Sequence, residues 1–289
     1  MKKLLIIALL SLVAGLPATA QQYTKADSLK VVALLSDARI QENENWMVFF
    51  ARKLTDIPYV AKTLEKNKQE QLIVNLRQLD CTTYVENVLA LTLCMKNKQY
   101  SFESFCKYLR LIRYRQGHIS YPARLHYFSS WIDDNTEMGY VEEINTPKEV
   151  FSAEQELAIN YMTTHVGQYP MLIGKTQWIE IIRKAEEELT GRRVPYIPKT
   201  SIGNSEPYWD AIHDGDIIAI CTKKAGLDTS HIGIAVWHVD GLHLLNASQI
   251  HKRTIEEPMT MGEYMKKHPS QTASESFASS DSARQSITI

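Results

Sequence analysis

The chain has 289 residues, with 32 Lys and Arg against 33 Asp and Glu, a formal net charge of −1 and 44% apolar content. Near-neutral charge gives no electrostatic footprint for nucleic acid or an anionic membrane, and the apolar content is too high for a disordered chain. Four cysteines with no Cys-x-x-Cys pair exclude a disulfide-framed scaffold and a zinc ribbon.

Lys2 and Lys3 precede the uncharged run Leu4–Leu16 and the small-residue triplet Ala18-Thr19-Ala20. This pattern predicts a secretory signal peptide over residues 1–20. The run is shorter than the ~20 residues that span a bilayer, and the first cysteine is Cys81, too late to carry a lipid. A secreted, periplasmic protein without stable membrane insertion is therefore expected. Cleavage leaves 30 basic residues against 33 acidic ones, about −3. The mature chain is predicted to be one domain over 21–272, with an insert at about 100–200 and a flexible tail at 273–289.

From Lys25 to about Lys68 the apolar spacing is helical, with Val31, Val32, Leu34 and Leu35, then Trp46, Val48, Phe49 and Phe50. Pro58-Tyr59 interrupts it. Leu72 to Leu79 alternates and ends at Asp80, a good N-cap. The following helix has Val85, Val88 and Leu89 on one face and a nearly continuous apolar run from Leu91 to Met95, so it should be buried on most sides. Between Tyr100 and Pro198 helices are predicted at Phe102–Arg113, Ala153–His165 and Gln177–Leu189. Strands come late: Ile217–Cys221 after the Asp214-Gly215-Asp216 turn, His231–Val239, and Leu242–Ala247 across a hairpin centred on Asp240-Gly241. Helices first and a meander of strands afterwards read as α+β. The segment from Ser270 is rich in serine with few large apolar residues, which predicts mobility.

Cys81 follows the N-cap candidate and starts the most buried-looking helix. A helix N-terminus and a neighbouring imidazole lower a thiol pKa to roughly 3.5–7.5, and the free N–H groups there can hold an oxyanion. His231 opens a strand, with Gly233 behind it. Asn246 lies in the next strand and could orient the imidazole. A hairpin centred on Asp240-Gly241 would put Asn246 opposite residue 235, four residues from His231, so a bulge or slanted pairing is needed to join them. His238 and His243 flank the turn with no third ligand at a metal-site spacing. Cys94 and Cys106 are expected to be core thiols, with at most one disulfide among the cysteines other than Cys81.

Cysteine, then histidine, then a polar orienter is the papain-like chain order. Leu79-Asp80-Cys81-Thr82-Thr83-Tyr84-Val85-Glu86, with Ser230-His231-Ile232-Gly233 and Asn246-Ala247-Ser248, resembles the NlpC-type cell-wall cysteine hydrolases. The match is narrower to their N-acetylmuramoyl-L-alanine amidase-like branch. It is carried by Pro58-Tyr59-Val60 with Thr63-Leu64-Glu65, Tyr121 with Arg124-Leu125-His126-Tyr127-Phe128 and Trp131-Ile132, Tyr196-Ile197-Pro198-Lys199, and His268-Pro269-Ser270-Gln271-Thr272. The third catalytic position, often His in relatives, is Asn246 here. The tail after Thr272 departs from the family pattern.

The resemblance implies a papain-like (NlpC-type) core, its nucleophile helix packed on an antiparallel sheet, plus a mostly helical insert. It implies Cys81, His231 and Asn246 as the catalytic set, and Tyr59, Asp80, Thr82 and Ser230 beside the substrate. It also implies a muramyl-peptide from peptidoglycan as substrate, with no metal or organic cofactor. Arg124, His126 and Tyr127 could line a sugar-peptide groove, or equally form an insert core around a buried arginine. A monomer is expected. The expected reaction is hydrolysis of the amide between N-acetylmuramic acid, in reducing or anhydro form, and L-Ala. One alternative is a γ-D-glutamyl-diamino acid endopeptidase acting on the stem peptide. Another is a non-catalytic cell-wall binding module with an idle Cys81, which haloamide labelling of the thiol at neutral pH would reveal.

Overall fold

The computed structural model describes residues 21–41, 45–202, 206–268 and 271–279. The expected leader and the last residues of the tail lie outside them. In chain order the elements are β1 (Gln21–Gln22), α1 (Lys25–Ile40), α2 (Trp46–Lys53), β2 (Leu72–Ile73), α3 (Cys81–Lys96), α4 (Phe102–Arg113), α5 (Phe128–Glu137), β3 (Val141–Ile144), β4 (Ala153–Glu156), α6 (Tyr161–Thr164), α7 (Thr176–Leu189), β5 (Arg193–Pro198), α8 (Glu206–Ala211), β6 (Ile217–Thr222), β7 (Thr229–His238), β8 (Gly241–Ser248), β9 (Arg253–Glu256), α9 (Met261–Lys267) and β10 (Gln271–Ser279), with short 3-10 turns between some of them. Among the described residues no helix is long and apolar enough to cross a membrane.

The architecture is mixed α and β. Eight strands form one sheet in the order β4-β5-β10-β6-β7-β8-β9, with β3 also beside β10 and every ladder antiparallel. Both faces are covered, which is why β6 and β8 are buried along their whole length. On one face Ile217, Ala219, Ile232, Ile234, Val236, Leu245 and Ala247 pack with α1 to α4; on the other, Ile218, Ile220, Ala235, Leu242 and Leu244 pack with Met261, Tyr264 and Met265 of α9. Alternation along each strand feeds the two layers in turn.

α3 runs through the larger core, with every residue from Thr83 to Met95 buried. Two of its buried polar side chains are anchored within the core, although Asn87 Oδ1 has no hydrogen-bond partner. Glu86 meets Arg113 at 2.7 Å, and Asn87 donates to the Thr83 carbonyl at 2.6 Å.

Three expectations change. The hairpin loop is Val239-Asp240, since His238 pairs with Gly241; moving the centre back by one residue shifts the whole register by two. The Ala153–His165 stretch is strand β4 followed by the short α6, and the insert also supplies β3 and β5 to the main sheet, so it is less helical than expected. The start of the tail forms β10, hydrogen-bonded to β6 on one edge and to β5 and β3 on the other. Composition judges side chains, whereas a strand inside a sheet is held by backbone bonds on both edges and needs no large apolar residues.

Candidate active site

Asp80 caps α3 with a reciprocal box: its carboxylate accepts from the Thr83 N–H at 2.9 Å and the Thr83 hydroxyl at 2.7 Å, and Thr83 Oγ1 accepts from the Asp80 N–H at 2.9 Å. Cys81 is therefore the first helical residue, where backbone N–H groups have no intrahelical partner. Its half-buried sulfur takes bonds from the Thr82 hydroxyl and N–H and from the Ile232 N–H of β7. The Ile232 contact brings the start of α3 against the residue next to His231. Pro58-Tyr59-Val60 runs beside Leu79, with Val60 N–H donating to the Leu79 carbonyl at 2.9 Å and Leu79 N–H to the Pro58 carbonyl at 3.1 Å. That short pairing sets Tyr59 within electrostatic reach of Cys81 and Asp80.

Cys221 pairs with Thr229 and Ile220 with His231, which leaves Ser230 as the extra residue of a β-bulge, its hydroxyl donating to the Ile220 carbonyl at 3.2 Å. Bulges re-aim side chains beside active sites. The observed β7–β8 register pairs Ile234 with Leu245, and one further step puts Gly233 opposite Asn246. His231 is two residues along on the same face, a diagonal neighbour within reach of a long side chain. The result is a His231 Nε2 to Asn246 Oδ1 hydrogen bond of 3.1 Å. Close approach of the strands depends on Gly233, where a Cβ would lie 2.6 Å from Leu244 Cγ and 2.9 Å from the Leu245 carbonyl oxygen.

Asn246 is fully buried, and its Nδ2 donates to the Leu244 carbonyl at 3.2 Å. Its oxygen must then face the imidazole and accept. His231 therefore carries its proton on Nε2 and keeps the Nδ1 lone pair for proton uptake.

The resting electrostatics differ from the expected thiolate. Burial, with the Asp80 charge second, pushes the Cys81 thiol up to about 11 against the lowering effect of its three hydrogen bonds. Burial pushes His231 down to about 4, opposed by the Asn246 bond and aided by the nearby His268. At neutral pH the pair is thus a thiol and a neutral imidazole. Slow haloamide labelling at pH 7 is expected of this site whether or not it is catalytic, so labelling does not separate an enzyme from a binding module. Asp80→Asn keeps a capping oxygen and removes the charge beside the sulfur, which lowers the thiol pKa. Iodoacetamide should then alkylate Cys81 about three- to tenfold faster at pH 8, whereas Asp80→Ala should in addition lose about 1 kcal/mol of stability with the cap.

Other predicted contacts fall elsewhere. Asp80 is committed to its own helix. Arg124 is buried and neutralised by Glu65 at 2.9 Å and Glu70 at 3.2 Å, with its guanidinium 4.7 Å from the Tyr121 ring centre. Tyr127 is buried in the insert core, donating to Glu186 at 2.6 Å and accepting from the Met162 N–H at 2.9 Å. His126 Nε2 donates to the Tyr121 carbonyl at 2.8 Å, and burial together with the Arg124 charge pushes it down to about 3. The void they border holds ≈20 Å3, room for one water and no sugar. These three are insert core, because a guanidinium already paired with two carboxylates has no charge left for a ligand. His243 is likewise buried, between the Glu257 carbonyl and the Asp240 carboxylate. Cys94 and Cys106 are buried thiols on α3 and α4.

His268 was not singled out as a site residue, although its motif was. At the end of α9 its ring stacks on Tyr264, its Nδ1 donates to the Tyr264 carbonyl at 2.6 Å, and its own carbonyl accepts from Lys199 Nζ at 3.0 Å. Lys199 and His268 thus tie β5 to the wall beside His231.

Comparison with known proteins bears on most of the chain. Residues 49–272 match the family model AmiA-like, N-acetylmuramoyl-L-alanine amidase-like. An N-acetylmuramoyl-L-alanine amidase from Bacteroides uniformis ATCC 8492 is 34% identical with a TM-score of 0.74, over 81% of this chain and 98% of that one. A Bacteroides fragilis structure provisionally described as a xylanase is 35% identical with a TM-score of 0.73, over 79% and 98%. A Legionella pneumophila str. Philadelphia 1 protein shares the fold at 20% identity and a TM-score of 0.65, over 88% and 94%. Nothing matches among the curated proteins. The extent of these matches, in sequence and in fold, establishes that the chain belongs to the AmiA-like, N-acetylmuramoyl-L-alanine amidase-like family.

Proposed function

We propose that the protein is an exported, periplasmic cysteine amidase with a papain-like core that hydrolyses the amide between N-acetylmuramic acid and L-Ala in peptidoglycan fragments. The observation that carries this is the arrangement of Cys81 first in α3, the Ile232 N–H at its sulfur, and the neighbouring His231 held as a base by Asn246. Family membership supports the muramyl substrate. Glycoside cleavage, by contrast, requires two carboxylates flanking the bond, and the chemistry gathered here is a thiol with an imidazole.

Cys81 Sγ attacks the lactyl carbonyl carbon while its proton passes to His231 Nδ1. A neutral starting pair couples deprotonation to attack, so the base acts in the transition state itself. The oxyanion is held by N–H groups at the start of α3, and Tyr59 offers a further donor, since burial with the Cys81 and Asp80 charges keeps it a neutral phenol by raising it to about 12. His231 returns the proton to the L-Ala nitrogen as the C–N bond breaks, leaving a muramoyl thioester on Cys81. Water deprotonated by His231 then adds to the thioester, and the thiolate leaves with that proton. Ser230 and Thr82 border the site, and the steps draw on no metal or organic cofactor.

Turnover in 18O-enriched water tests the choice of bond. The label should appear in the lactyl carboxylate of the released sugar. Label on a stem-peptide carboxylate would make the protein a γ-D-glutamyl-diamino acid endopeptidase instead.

A further inference from the structure

Glu257 follows β9, and its side chain is 1% exposed. No step of the proposed chemistry uses it. Its backbone is fixed twice to β8: the Glu257 N–H donates to the Leu244 carbonyl at 2.9 Å, and the Glu257 carbonyl accepts from His243 Nδ1 at 2.8 Å. The carboxylate itself has little hydrogen bonding. Oε1 accepts from the Met259 N–H at 3.5 Å, and Oε2 has no hydrogen-bond partner. His251 Nε2 lies 3.2 Å from Oε2, off the line of a hydrogen bond, and is buried without a hydrogen-bond partner of its own. A carboxylate buried with so few donors needs a compensating group, and the fold sets the His251 imidazole against it.

The pair ties down a turn. His251 sits in the 249–252 connection from β8 to β9, where Lys252 has a left-handed φ of +60°, a conformation that the surroundings must hold. The His251 N–H donates to Ser248 Oγ at 3.1 Å, and the imidazole reaches back to Glu257 on the sheet. The next carbonyl, that of Lys252, accepts from the Tyr59 N–H at 2.9 Å, and Pro58 bridges to Arg253. The turn therefore sets one side of the Tyr59 backbone, as Leu79 sets the other through Pro58 and Val60. Tyr59 in turn is within electrostatic reach of Cys81.

We propose that His251 and Glu257 are positioning residues that hold the β8–β9 turn, and through it the Tyr59 hydroxyl, in place beside Cys81. They act through Tyr59 and not on the reacting atoms. The proposal rests on the reading of Cys81 as nucleophile and of Tyr59 as an oxyanion donor.

A double-mutant cycle on muramyl-peptide turnover tests the catalytic consequence. Tyr59→Phe should lower kcat by about 10^2-fold, the loss for one oxyanion donor. His251→Ala/Glu257→Ala removes the clamp without leaving a buried carboxylate unpaired, and should lower kcat by about tenfold with KM little changed. In the Tyr59→Phe background the same two substitutions should cost less than about twofold, because the group they position is already gone. His251→Gln keeps a donor for Glu257 Oε2 and should recover most of the loss. An equal fall in kcat in both backgrounds would show a purely structural role and overturn the proposal. The position of the ring is read without turnover, by 19F NMR of mature protein labelled with 3-fluorotyrosine and carrying Cys81→Ala. The Tyr59 line is the one lost when Tyr59→Phe is added. Removing the clamp should shift or broaden that line, and an unchanged line would overturn the positioning. If the line moves while protein with Cys81 intact turns over no muramyl-peptide, the amidase reading falls and the positioning stands.

Discussion

Replacing His231 with Ala should lower kcat for muramyl-peptide cleavage by about 10^2- to 10^4-fold, the range for a positioned general base. The effect should sit in kcat, because in the proposed mechanism the imidazole moves a proton and supplies little binding. The pH dependence follows from the directions of the two shifts. In the proposed mechanism the productive form has His231 neutral and Cys81 protonated, so kcat/KM should be level between limbs near pH 4 and pH 11 as far as the dyad is concerned. Alkylation of the free enzyme should instead rise about tenfold per pH unit from pH 7 to 10, since it follows the thiolate fraction below the thiol pKa. A level, fast alkylation rate from pH 5 to 8 would signal a preformed thiolate–imidazolium pair and contradict this account. Asn246→Asp places a carboxylate on the imidazole, favours its charged form, and should move the acid limb upward.

Glu86→Ala should destabilise the protein by about 3–5 kcal/mol, the loss expected when one partner of a buried ion pair is removed. Glu86 and Arg113 are almost completely buried and 2.7 Å apart, and Arg113 Nη1 also donates to the Ile73 carbonyl at 2.7 Å. The truncation leaves a guanidinium in the core beneath α3, with a void beside it. At about 2–4 °C per kcal/mol for a domain approaching this size, the melting temperature should fall by about 10 °C. Glu86→Met/Arg113→Met removes both charges and should recover much of the loss, though not the Ile73 contact. Urea unfolding of the three proteins checks this, and a loss below about 1 kcal/mol for Glu86→Ala would show that the pair does not hold α3 to α4.

What could be read from sequence was local chemistry. Asp80 as cap, Cys81 at the helix start and the burial of the following helix came from residue type and period, and the structure has all three. The His231 to Asn246 bond could not be derived, because a hairpin centre misplaced by one residue, from Val239-Asp240 to Asp240-Gly241, shifts the register by two and separates the pair. The Ser230 bulge leaves no mark in composition. Arg124 and Tyr127 carry polar groups that suit a ligand as well as a core, and only Glu65, Glu70 and Glu186, distant in sequence, decide for the core. The depressed-thiol expectation took account of the helix and the imidazole but not of burial or the Asp80 charge, which outweigh them in the resting state. β10 was missed because serine and threonine signal mobility unless neighbouring strands supply both edges.

The central claim is that Cys81 cleaves the sugar–alanine amide. Mass spectrometry of a defined muramyl-tripeptide incubated with the mature protein and with Cys81→Ala tests it most directly. The wild-type protein should release the free sugar and an intact peptide beginning with L-Ala, in reducing or anhydro substrates or both, and the variant should be slower by about 10^4-fold or more. Cleavage by Cys81→Ala at a rate near that of the wild type would contradict the account.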